Sequence, residues 1–74
     1  MTGRPIDVLN AAKGKNVMIK LKNRTHVSGI LKAFDMHINV WVEDAQVTDS
    51  EGNATKLGNT LLRGDSIIYI SPVQ

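Results

Sequence analysis

Cysteine is absent from this 74-residue chain, which excludes disulfide cross-links, thiolate zinc sites and cysteine nucleophiles. The same absence suits a reducing compartment, and a cytoplasmic protein is expected. Long apolar runs are missing too, so neither a transmembrane helix nor a secretory signal is expected. Aromatic residues are scarce: Phe34, Trp41 and Tyr69 are the only ones. They fall in separate strand regions, which argues against an SH3-like protein-interaction barrel with an aromatic groove for polyproline. Phosphate-cradling glycine loops are lacking. His26 and His37 have neither an H-x-x-x-H spacing nor a paired carboxylate to complete a metal site. No metal and no other cofactor is expected. The serines lack a neighbouring His–Asp arrangement at any hydrolase spacing. Enzyme readings fall away.

What is present bounds the rest. A chain this short makes one small domain over 1–74 and buries only roughly 60% of its unfolded-state surface, so partner subunits are a natural support. The formal net charge is +2, but Lys13, Lys15, Lys20, Lys22 and Arg24 crowd into one stretch. An anionic partner is compatible with that clustering.

The chain opens with a helix over about 5–12, with Pro5 at its first position, Asp7 at the positive end of the dipole and Lys13–Gly14 as its stop. Ile6, Val8, Leu9 and Ala12 give it one apolar face. From Asn16 the period switches to two. Val17, Ile19 and Leu21 alternate with polar residues, and Val27, Gly29, Leu31 and Ala33 continue after a "KNR" turn. Gly29 inside a strand marks a sharp bend. Ile38, Val40 and Val42 resume the pattern, "TDSEGNAT" at 48–55 is a polar turn, and strands follow around Lys56–Leu62 and Ser66–Ser71. One short helix and five antiparallel strands read as a small, mainly β barrel. The last strand is apolar on both faces at Ile67–Ile70. Either the short helix and neighbouring strands cover it or another copy of the chain does; a bare apolar edge pairs with other chains, so self-assembly is favoured.

Polar chemistry concentrates in two turns. The first holds Asp35, His37 and Asn39; the second holds Arg63, Gly64 and Asp65. The "RGD" tripeptide could also be taken as an adhesion motif, but a plain turn accounts for it. Ordinary hairpin turns would explain either group by itself. Together they offer an imidazole and a guanidinium that can sandwich a base, worth ~1–3 kcal/mol of stacking per base. They also offer an amide with the donor and acceptor that a base edge requires.

These residues carry a resemblance. "GKNVMIKLKNRTHVSGILKAFDMHINVWVEDA" (14–45) resembles the first motif of the Sm and Sm-like (LSm) family, and "LLRGDSIIYISP" (61–72) its second. Gly29 falls at the bend glycine, Asp35 and Asn39 at the D-x-x-x-N pair, and Arg63–Gly64 at the second-motif pair. The short loop at 48–55 is most similar to an archaeal single-domain member. The resemblance implies a helix on a strongly bent five-stranded antiparallel sheet and a homo-oligomeric ring, usually of seven subunits. That ring pairs the fourth strand of one subunit with the fifth of the next and holds uridine-rich single-stranded RNA in its pore. On that reading His37 and Arg63 stack on the base and Asn39 pairs with its edge. Asp35 orients Asn39, Gly64 and Asp65 complete the pocket, and Arg4 adds a secondary contact. RNA-processing proteins are candidate partners. A ring scaffold with no direct RNA role is the alternative.

Overall fold

Helix α1 runs Pro5–Ala12 in the computed structural model, which describes residues 3–73. Pro5 lacks the N–H that a first-turn residue leaves unpaired in any case. Gly14, at φ +80°, turns the chain out of the helix, and its N–H bonds the Leu31 carbonyl at 2.7 Å. That bond fastens the helix exit to the sheet. Ala12 is buried and Leu9 packs on the core, but Ile6 is exposed. Only part of the expected apolar face is therefore used.

The strands are β1 (Asn16–Leu21), β2 (His26–Phe34), β3 (Val40–Thr48), β4 (Ala54–Leu62) and β5 (Ile67–Pro72). They form one antiparallel sheet in the order β4-β3-β2-β1-β5. Period-two alternation does the sorting. Val17, Ile19, Val27, Leu31, Val40 and Val42 point inward and are fully buried, and Ile70, Ile19, Val27 and Val47 form one cross-strand row. Three boundaries differ from the sequence reading. Strand β3 begins at Val40, which leaves Ile38 in the turn before it. Strand β4 begins at Ala54, and β5 begins at Ile67 because Gly64–Ser66 form one 3-10 turn. The Ser66 N–H and hydroxyl both donate to the Arg63 carbonyl, at 3.0 and 2.7 Å, which fixes that turn.

The bend falls at Gly29. Ser28 pairs with Gln46 and Ile30 with Glu43, so Gly29 on β2 stands opposite two residues of β3. The extra residue is a bulge, with Asp44 at φ +53°. A Cβ on Gly29 would overlap Val42 Cγ1 and come within 2.8 Å of the Glu43 carbonyl oxygen and 3.2 Å of Ala45 Cα. Backbone cannot step aside as a side chain can. Gly29→Ala should therefore cost about 1–3 kcal/mol, lowering a thermal midpoint by several degrees for a domain of this size. A variant that melts with the parent would show that the bend tolerates a side chain.

Strands β4 and β5 are consecutive in the chain yet lie at opposite edges. Both edges carry exposed apolar side chains, among them Leu57 and Leu61 on β4 and Ile68 and Tyr69 on β5. Neither edge is blunted by a charge row of the usual kind.

Candidate nucleic-acid interface

No polar or charged side chain is buried among the described residues, so whatever these groups do, they do at the surface. The turn between β2 and β3 is built by its own side chains. The Asp35 N–H donates to the Asn39 carbonyl and the Ile38 N–H to the Asp35 carbonyl, each at 3.1 Å. Asp35 Oδ1 accepts the backbone N–H groups of His37 (2.9 Å) and Asn39 (3.1 Å), and Oδ2 accepts an Nδ2–H of Asn39 at 3.0 Å. A carboxylate taking three N–H donors is stabilised in its charged form. The Asn39 side chain is the largest cause; desolvation opposes it, and the two backbone donors and the charge of His37 add to it, so that Asp35 is held below the usual carboxylate range. A lowered native pKa means that the order Asp35 imposes is present above the ordinary value and lost as pH falls through the lower one. The amide signals of His37 and Asn39 should accordingly stay native-like on acidification to about pH 3.9 and change only below it. An NMR titration with its midpoint above that value would contradict this.

The second polar turn docks on the first. The Gly64 N–H donates to Asn39 Oδ1 at 2.9 Å. A Cβ at Gly64 would collide with the His37 carbonyl oxygen and lie 2.9 and 3.0 Å from the Ile38 carbonyl carbon and oxygen. The space that the missing side chain leaves is taken by the protein's own backbone. Asn39 is thus anchored at both ends by groups of opposite polarity. One Nδ2–H and one Oδ1 lone pair remain for a ligand, and the amide cannot flip without losing both anchors.

The remaining expected residues gather nearby in part. Arg63 pairs with Asp65 at 3.0 Å with both side chains largely exposed, so the pair adds little stability but steadies the guanidinium. His37 is exposed beside Asn39. Arg4 is turned to its own helix, donating to Asp7 at 2.9 and 3.1 Å. Its neighbour Pro5 lines a groove of about 520 Å³ that also meets His37, Gly64 and Ile67–Ile70.

Two features escaped the sequence reading. Ile38 has φ +61°, an outlier for a β-branched residue that costs on the order of 1–3 kcal/mol. No sequence signal points to it. The second is a twin of the turn at the far end of β3, and its D-x-x-x-N spelling, "DSEGN" at 49–53, was there to be read. Asp49 Oδ1 accepts the Glu51 and Asn53 N–H groups, both at 2.9 Å, and Oδ2 accepts Asn53 Nδ2–H at 3.3 Å. The backbone bonds repeat as well, Asp49 N–H to Asn53 O at 3.0 Å and Gly52 N–H to Asp49 O at 3.1 Å. The Asp–Asn pair is therefore a turn-building device. Docking to Gly64 is what sets the first copy apart.

The LSM domain model matches residues 7–72. A Methanosarcina barkeri protein named for its likeness to snRNP Sm proteins is 35% identical over 72 residues, covering 97% of this chain and all of that one. The P. aerophilum SmAP1 heptamer is 35% identical with a TM-score of 0.91, over 100% of this chain and 99% of the other. An Sm protein of Pyrococcus abyssi, solved in complex with a uridine heptamer, is 33% identical with a TM-score of 0.89, over 95% and 99% of the two chains. With a family match over nearly its whole length and both polar turns in place, this chain belongs to the LSM-domain (Sm-like) family.

Proposed function

We propose that the chain assembles into a homo-oligomeric ring, with seven subunits as in its heptameric relatives, and holds single-stranded uridine-rich RNA in the pore without catalysing a reaction. It would serve as a cytoplasmic scaffold for RNA processing or ribonucleoprotein assembly. The observation that carries this reading is the doubly anchored Asn39 amide. Uracil presents an N3–H donor beside an O4 acceptor. The free Nδ2–H of Asn39 meets O4 and its free Oδ1 lone pair receives N3–H. Cytosine reverses both groups, and such mispairing costs on the order of 1–3 kcal/mol per site. His37 and Arg63 supply the stacking planes, Asp35 and Gly64 fix the amide, and Asp65 steadies Arg63.

Fluorescence polarisation with oligo-U and oligo-C tests the division of labour. Arg63→Ala should weaken both by roughly tenfold or more through lost stacking. Asp35→Asn should weaken both and narrow the preference only partly, because the Gly64 N–H still favours the uracil-facing amide. A U-to-C ratio untouched by Asp35→Asn in intact rings would leave Gly64 as the only anchor that matters. Lys22 and Arg24 are exposed and Lys20 half-buried. Phosphate contacts by such residues should make oligo-U affinity fall steeply between low and moderate salt. A curve flat in salt would assign the affinity to base contacts alone.

A further inference from the structure

The Asp–x–x–x–Asn turn does not need an isoleucine at its fourth position. The twin turn has Gly52 there, at φ +88°, and keeps the frame of hydrogen bonds. Ile38 occupies the same left-handed region at φ +61°, which β-branched residues avoid. Its side chain, not its backbone, must account for its presence. That side chain is half-buried and packs on the core cluster. It lines the groove whose other walls are Val8 on α1 and Ile67–Ile70 on β5. His37 and Asn39 flank it in the chain, and its carbonyl lies against Gly64. Strand β5 is one of the two edges at which a neighbouring subunit would pair. One side chain thus stands between the base-facing groups and the assembly edge.

We propose that Ile38 is a positioning residue that couples nucleotide binding to ring closure. A neighbour's strand seated along β5 fixes one wall of the groove that Ile38 also lines, and Ile38 transmits that order to His37 and Asn39. The proposal rests on the uridine pocket described above. Coupling of this kind is reciprocal: a nucleotide binds the closed ring more tightly than the free subunit, and it hardens the ring against dissociation.

Uridine monophosphate is the suitable probe, because a single nucleotide cannot lash subunits together as a strand does. Its binding to intact rings is measured by calorimetry, and urea dissociation of the ring is followed by sedimentation with and without it. In the parent protein the nucleotide should raise the dissociation midpoint, corresponding to roughly tenfold tighter binding to the ring. Ile38→Gly keeps the turn, as Gly52 does in its twin, but should show no shift even when the nucleotide is raised to equal occupancy. Ile38→Leu should restore the shift. Should Ile38→Gly fail to assemble, Val8→Ala on the opposite wall of the groove should lose the shift in the same way. Binding without a midpoint shift in the parent, or an undiminished shift in Ile38→Gly or Val8→Ala, overturns the coupling and leaves the pocket standing. No binding to intact parent rings overturns the uridine pocket, and the coupling with it.

Discussion

Gly64→Ala is expected to weaken oligo-U binding by about a hundredfold or more while the ring still sediments as a ring. The added methyl meets the backbone of His37 and Ile38, which no rotamer change can move. Either turn must therefore retreat. The Gly64 N–H then leaves Asn39 Oδ1, the amide loses one of its two anchors, and a half-buried acceptor goes unpaired at a cost of ~1–3 kcal/mol per site. A strand that engages several subunits at once feels that loss at each of them. Gly52→Ala is the matched control. Its φ of +88° makes the change mildly strained, but a Cβ there has nothing within 4 Å, so stability should drop slightly and binding should not. Polarisation assays on both variants decide the matter. Gly64→Ala rings that keep oligo-U affinity within about threefold would remove the turn-to-turn contact from the account.

Ile68→Lys should convert the ring to free subunits. Ile68 is 57% exposed on an edge strand, and it sits where β5 shifts register against β1. A lysine there leaves the core untouched but sets a solvated charge on the surface that must accept a neighbour's strand, the device by which edge pairing is ordinarily prevented. Light scattering should return a mass near the 8.1 kDa of one chain, with the far-ultraviolet circular dichroism of a folded sheet. Oligo-U affinity should collapse in parallel, because separate subunits cannot share a strand. An intact ring at micromolar concentration would show that the neighbour does not cover this face of β5.

The sequence was most legible where a local rule acts without competition. Pro5, Lys13 and Gly14 bounded the helix because capping is decided within a turn, and Val17, Ile19, Val27, Val40 and Val42 were assignable because one buried face forces strict alternation. Gly29 announced the bend, but the bulge opposite it at Asp44 did not, since an Asp in a strand has no unique meaning. Strand β4 was the weakest reading for a related reason: from Ala54 to Asn59 it is exposed on both faces, so no alternation marks where it starts. In the site, Asp35, Asn39 and Gly64 were individually conspicuous. Their bond from turn to turn spans 25 residues and belongs to the folded sheet alone. Ile38 was read as one more inward aliphatic, and its strained backbone reflects packing that only the groove reveals.

The bend at Gly29 has an arithmetic side. A head-to-tail interface closes only when the rotation from one subunit to the next divides a full turn. In the proposed ring, with β4 of one subunit paired to β5 of the next, that rotation would follow the angle between the two edges of this sheet, and the bulge opposite Gly29 lies between them on β2 and β3. Any opening of the bend is repeated in every copy, so a few degrees added at one glycine accumulate around the circle into most of a subunit's share. In the proposed ring, the three atoms crowding the space above Gly29 would thereby help to decide how many subunits close the circle.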